Sequence, residues 1–181
     1  MLIASIITDI LFENINYFYK KMQKLELLKS KILDKTALVR ELKYWQFKDK
    51  KIVFTNGCFD IIHRGHIEYL AQAANFGDIL LIGLNSDSSV RKLKGENRPV
   101  QDEYSRAMIL ASMSFVSRII LFDEETPYDL IKFVQPDFLV KGSDYKIEEI
   151  VGYDIVKAKG GQIITIDFVK GFSSTGILKK I

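Results

Sequence analysis

The sequence predicts a doubly wound α/β fold built on a five-stranded parallel sheet, and three observations carry that prediction. From Ile52 onward, short apolar runs alternate with amphipathic helical stretches, the pattern of a parallel sheet covered on both faces. The stretches rich in charged, hydroxyl and imidazole side chains fall just after an apolar run or on the helix that follows. Ligands of such sheets bind there, outside the carboxyl ends of the strands. The chain has 181 residues, 48% hydrophobic and 27% charged, which suits one globular domain with a sizeable core.

The predicted strands are Ile52 to Thr55, Ile79 to Leu84, Arg118 to Phe122, Phe138 to Val140 and Gln162 to Ile166. Helical patterns lie between them at Gly65 to Asn75, Asp102 to Met113, Pro127 to Val134 and Ile147 to Lys159, with a last short helix near Ser174. Right-handed crossovers join the strands, and Gly160-Gly161 reads as a turn into the fifth. Residues 22–48 form an N-terminal helical region on the spacing Leu25, Leu28, Ile32, Leu33, anchored by Trp45 and Phe47; residues 49–181 form the domain proper. Met1 to Ile10 is apolar but has no basic flank or small-residue cleavage site, and Asp9 and Glu13 interrupt it. Residues 1–21 are expected to be an added or mis-assigned leader without a catalytic part, Met22 offering a second start.

Charge narrows the function classes. Net charge is +3, yet Lys20 to Lys51 holds eleven Lys or Arg against four Asp or Glu, while Ile52 onward holds fifteen against seventeen. A nucleic-acid binder carries its basic stripe on the functional body, so neither nucleic acid nor a membrane is an expected partner. One cysteine excludes an internal disulfide framework and fits a reducing, cytoplasmic setting.

The tetrad His63-Arg64-Gly65-His66 carries the most chemistry. It follows an apolar run that ends in Asn56-Gly57, and it opens a helix on Ile67, Leu70, Ala71 and Ala74. Histidines at i and i+3 share one helix face, beside first-turn N–H groups that lack helical acceptors and attract anions. Gly65 lets a phosphate approach the backbone. Both histidines of the chain lie in this tetrad, with no third His and no cysteine pair to make a zinc site. A polyphosphate site is the expectation. Cys58 has no activating partners, which favours packing or substrate contact over nucleophilic chemistry.

Other clusters follow the later strands. Asn85, Ser86 and Asp87 are N-cap types, and Arg91, Lys92, Lys94 and Arg98 form either a plain surface face or a clamp for a second anionic substrate. Asp102 caps the next helix, with Arg106 a turn beyond. Lys141-Gly142-Ser143-Asp144-Tyr145 sits at the end of the fourth predicted strand, as a cap or a substrate contact. Ser173, Ser174 and Thr175 are cap residues that also make a second anion-binding helix start.

The stretch Thr55-Asn56-Gly57-Cys58-Phe59-Asp60-Ile61-Ile62-His63-Arg64-Gly65-His66 resembles the HxGH motif of the nucleotidyltransferase superfamily. The resemblance extends through residues 83–95, Arg98-Pro99, Phe122 to Pro127 and Lys141 to Tyr145, and covers about residues 25–181. This set is similar to the D-glycero-β-D-manno-heptose 1-phosphate adenylyltransferase family, which implies a Rossmann-like nucleotidyltransferase fold. The implied reaction is transfer of AMP from ATP to a sugar 1-phosphate with Mg²⁺, releasing pyrophosphate, for lipopolysaccharide core or surface glycan synthesis. By resemblance, His63 and His66 are catalytic; Lys94, with Arg91, is a candidate for clamping phosphates and is counted with the catalytic set. Thr55, Asn56, Gly57, Phe59, Asp60, Gly65, Ser173, Ser174 and Thr175 meet ATP, with Asp60 near the nucleotide or metal and no metal-ligand cluster assigned. Ser174 stands where the family's Ser-Thr-Thr motif has Thr, and keeps the hydroxyl. Cys58, Asn85, Asp87, Arg91, Arg106, Lys141, Gly142, Asp144 and Tyr145 are candidates for the sugar phosphate. The family often fuses this domain to a sugar kinase, so another chain is expected to phosphorylate the heptose. A homodimer is also expected. A cytidylyltransferase acting on glycerol 3-phosphate or a related polyol phosphate, and a non-catalytic nucleotide-binding regulatory module, are the competing readings.

Overall fold

The structure is a computed structural model that describes residues 23–143, 146–167, 169 and 171–178. Residues 1–21, and the candidates Asp144 and Tyr145, lie outside the described residues, as does the side chain of Thr175. Among the described residues, six strands form one parallel sheet: β1 (Ile32–Leu33), β2 (Ile52–Gly57), β3 (Ile79–Asn85), β4 (Arg118–Phe122), β5 (Phe138–Gly142) and β6 (Gln162–Ile166). Their order is β1-β4-β3-β2-β5-β6. The helices are α1 (Lys24–Lys29), α2 (Lys35–Phe47), α3 (Arg64–Ala74), α4 (Asp87–Lys94), α5 (Glu103–Ala111), α6 (Tyr128–Val134), α7 (Tyr153–Ala158) and α8 (Ser174–Leu178), with a 3₁₀ turn at Ile147–Glu149.

Successive strand residues face opposite sides of a sheet, so strands covered on both sides read as unbroken apolar runs. In β2, Val53 faces the core layer that also holds Tyr69, Leu70 and Ala73 of α3 and Ala107, Leu110 and Ala111 of α5. Its neighbour Phe54 faces the other layer, made by Leu38 and Trp45 of α2, Ile131 and Val134 of α6, and Ile155 and Val156 of α7. Asp34, Ser86 and Asp102 cap α2, α4 and α5 by accepting from the N–H groups of Ala37, Ser89 and Ser105. A cap of this kind stabilises its helix by about 1 kcal/mol. Strand β2 pairs with β3 from Ile52↔Ile79 to Gly57↔Leu84, and with β5 at Val53↔Phe138 and Phe54↔Leu139. The chain reverses its winding between β2 and β5, which opens a crevice at their carboxyl ends.

Three expectations are corrected. The spacing of Ile32 and Leu33 predicts a helical face; they form β1 instead and pair with Ile119 and Ile120, adding a sixth strand at the edge. The N–H of Ile119 donates to the Lys31 carbonyl, and Lys31 Nζ donates to the carbonyls of Ala111 and Met113, so tertiary bonds outweigh the helical spacing. Trp45 is buried as expected, but Phe47 is 81% exposed and anchors nothing. The helix expected over Ile147 to Lys159 is split, because Gly152 takes φ 89° and α7 begins only after it.

Candidate active site

A cavity of about 730 Å³ occupies the crevice, within the usual range for small-molecule sites. Its floor is the end of β2 and the loop that follows: Asn56, Gly57, Cys58, Phe59 and Asp60. Residue His63 is the N-cap of α3 but makes no side-chain cap bond; its ring stacks on that of His66 with centroids 3.9 Å apart at 24°. Both Nδ1 atoms are buried and bond to nothing among the described residues. Gly65 makes the stack fit: a Cβ there would stand 3.1 Å from Nδ1 and Cε1 of His63.

Burial holds the pair neutral at neutral pH. It lowers the His66 pKa to about 4, helped by the nearby positive fields of His63 and Lys94 and opposed by the Ile61 carbonyl. Burial alone lowers His63. A neutral imidazole donates one hydrogen bond and accepts at its other nitrogen, and an arriving polyanion favours the protonated, doubly donating form.

Other walls converge on the same cavity. Lys141 and Gly142 come from β5, and the Lys141 ammonium contacts Asn56 Oδ1. Ser173 and Ser174 enter from the start of α8; Ser173 Oγ accepts from the Gly176 N–H, and Ser174 Oγ donates to the Ile61 carbonyl at 3.1 Å. Asn85 is buried and donates to Ser89 Oγ, while Lys94 projects from the end of α4. Cys58 lines the wall, and burial pushes its thiol pKa up, against nucleophilic use.

Four candidates stand back from the cavity wall. Thr55 is fully buried with Oγ1 2.8 Å from the Tyr69 hydroxyl. Arg91 is exposed on α4. Arg106 is fully buried and donates to the carbonyls of Gln101 and Cys58 and to Asp87 Oδ1, which takes up Asp87 as well. The Asp60 carboxylate, although Asp60 lines the cavity, accepts from Arg98 Nε and from the N–H groups of Val100 and Gln101.

Sequence reasoning missed Phe172, whose ring lies 6.3 Å from that of His63 and beneath the Arg64 guanidinium at 5.6 Å. An aromatic just before the hydroxyl cluster was the available signal. It also missed Glu125, Thr126 and Pro127 after β4, and Glu149, Ile150 and Val151 beyond β5, which line the far end. No group of three or more His, Cys, Asp or Glu able to hold a metal exists among the described residues. Among the same residues, no helix is long and apolar enough to cross a membrane.

A parallel sheet wound in both directions, with a stacked HxGH pair at its switch point, defines a nucleotidyltransferase-type domain. The profile of the cytidylyltransferase-like family matches residues 54–180, and the chain belongs to that family. It is 55% identical over 151 residues to Bifunctional protein HldE of Campylobacter jejuni subsp. doylei, covering 83% of this chain and 31% of that protein. It is 48% identical to Bifunctional protein HldE of Wolinella succinogenes over the same shares. The chain thus spans about a third of the length of these curated relatives. Among solved structures, the lipopolysaccharide core biosynthesis protein of Thermoplasma volcanium is 30% identical with a TM-score of 0.56, over 68% of this chain and 99% of that one.

Proposed function

We propose that this domain transfers AMP from ATP to D-glycero-β-D-manno-heptose 1-phosphate, giving ADP-heptose and pyrophosphate for lipopolysaccharide core or related glycan synthesis. The observation that carries the reading is the stacked His63–His66 pair, which lines one cavity together with Lys141, Ser173 and Ser174. That is a set of donors for a triphosphate. The HxGH resemblance, the family membership and the similarity to a lipopolysaccharide core biosynthesis protein support the substrate choice.

The reaction is an in-line displacement. A phosphate oxygen of the sugar 1-phosphate forms a bond to the α-phosphorus as the bond from that phosphorus to the α,β-bridging oxygen breaks, and the electron pair leaves with pyrophosphate. The nucleophile is already an anion, so no general base is needed. The protein's task is to align two polyanions and stabilise charge on the transferring group. His63 and His66 donate to the phosphates, Lys141, Ser173 and Ser174 hold the triphosphate, and Lys94 with Asn85 borders the acceptor. Mg²⁺ neutralises phosphate charge when bound. The donor-rich walls suit the phosphates rather than a cation, so Mg²⁺ would be carried by the triphosphate that Lys141, Ser173 and Ser174 would hold. A cytoplasmic setting follows from both substrates, and the homodimer is checked by light scattering.

The deciding experiment measures pyrophosphate release with Mg²⁺, crossing ATP and CTP against heptose 1-phosphate and glycerol 3-phosphate. Release with ATP and the heptose alone is expected. The family description favours one rival specifically, and release with CTP and glycerol 3-phosphate would move the enzyme there. Nucleotide binding without turnover of any pair would make it a regulatory module.

A further inference from the structure

Phe59 has φ 43°, a left-handed backbone that a bulky L-residue keeps only where its surroundings hold it. Two clamps flank it. On one side the Cys58 carbonyl accepts from Arg106 Nη1 at 2.6 Å. On the other, Asp60 has a fully buried side chain; its Oδ2 accepts from Arg98 Nε at 2.5 Å, and its Oδ1 from the N–H groups of Val100 at 2.8 Å and Gln101 at 3.3 Å. The clamps are joined to each other, because Arg106 Nε donates to the Gln101 carbonyl at 3.0 Å. Its remaining nitrogen, Nη2, pairs with Asp87 Oδ1 at 2.7 Å. Each of the three nitrogens of this buried guanidinium therefore has a partner inside the protein.

The held turn has a definite product. Phe59 is 6% exposed, and its ring meets that of His66 edge to face, with centroids 5.4 Å apart at 61°. Gly57 leaves the room this needs, since a Cβ there would stand 3.1 Å from the Phe59 ring. His66 is thus fixed by two rings, one stacked and one edge-on. We infer that Asp60 and Arg106 are positioning residues that act on His66 through Phe59, and are not ligands of the nucleotide or sugar phosphate. They lock the left-handed turn, and the turn presses the ring against the imidazole. Since Arg98, Val100 and Gln101 lie between α4 and α5, the same clamps tie the basic end of α4 to the histidine pair.

The inference rests on the adenylyl-transfer reading only for the kinetic part of its test. The chain has two histidines, so imidazole NMR reads His66 directly, with no substrate needed. The variants are Asp60→Asn, Arg106→Lys and Phe59→Leu; the last leaves both clamps in place and decides the matter if a clamp variant fails to fold. Slackening the contact admits water to the ring, whose neutrality depends first on burial and then on His63 and Lys94. The His66 titration is therefore expected to rise from about 4 toward 6.5, by about one unit or more. The kinetic expectation is a kcat about tenfold lower or less, with KM for both substrates within about twofold of the parent. A His66 titration unmoved in Phe59→Leu, or in a folded clamp variant, overturns the inference. So does a rise confined to the acceptor KM, which would return Arg106 or Asp60 to substrate binding. A parent that turns over no substrate pair defeats the adenylyl-transfer reading, while the titration still judges the positioning role.

Discussion

Replacing Gly65 with alanine should separate activity from stability. The new Cβ would lie 3.1 Å from Nδ1 and Cε1 of His63 and 3.4 Å from Cβ of Phe172. Non-bonded carbon contacts settle at about 3.5–4.0 Å, so the His63 ring must retreat by roughly half an ångström. It has little room, with His66 stacked 3.9 Å away. For stability two terms oppose. Gly65 sits in the first turn of α3, where alanine gains up to about 1 kcal/mol of helix propensity. Pushing a ring off its rotamer costs about 0.5–1.5 kcal/mol. The balance is within about 1 kcal/mol of zero, a Tm change of about 2–4 °C for a chain of this size. Catalysis feels the displacement undiluted: about 1 Å of misplacement can cost about a hundredfold, so half of that predicts a loss of about tenfold, in kcat. Initial rates of pyrophosphate release beside a thermal melt test both halves. A parental rate in a folded Gly65→Ala protein would refute the reasoning, and so would a Tm lower by more than about 10 °C, since the methyl would then be breaking the fold.

Four further outcomes are expected. His66→Ala should fold and lose about a hundred- to a thousandfold in rate, as removal of one transition-state donor does; near-parental turnover would reject its role. Stability should fall as pH drops from 6.5 to about 4, because the unfolded chain takes up a proton at His66 that the folded chain refuses. The full loss is roughly 3 kcal/mol, most of it is felt by pH 4 and the remainder within about a pH unit below, and denaturation of His66→Ala should show a shallower slope across that window. Lys31→Met should cost about 1–3 kcal/mol, since it strips a donor from the carbonyls of Ala111 and Met113; an unchanged urea midpoint would count against it. Gly152→Ala should cost about 2–3 kcal/mol, because φ 89° strains an alanine and its Cβ would lie 2.8 Å from the Ile131 side chain. A midpoint equal to the parent's would show that Ile131 gives way freely.

Strands β2 to β6 were legible because each is a short, mostly apolar run bounded by turn residues, although β6 at the sheet edge is only part-buried. The structure moves their ends by no more than two residues. Strand β1 was hidden: two residues that also satisfy a helical spacing carry no local signal, and only the pairing with β4 identifies them. The site divides the same way. The stacked histidines, Asn56, Gly57, Lys141 and the two serines were visible because each closes a strand or opens a helix. The clamps at Phe59 were not, since Asp60 to Arg98 and Cys58 to Arg106 are contacts across 38 and 48 positions. Nothing in the local pattern of Asp60 distinguishes a ligand of phosphate from a tether of backbone N–H groups.

The small strand β1 also guards the protein against itself. Without it, β4 would present Arg118–Phe122, an Ile-Ile-Leu-Phe edge with its N–H and C=O groups open to any passing strand. Ile32 and Leu33 pair with Ile119 and Ile120 and so cover the middle of that edge with a strand two residues long. Lys29 and Lys35 flank them in the sequence, and lysine is a poor neighbour for a second strand. That covered edge lies three strands away from the crevice between β2 and β5 where the nucleotide is proposed to sit.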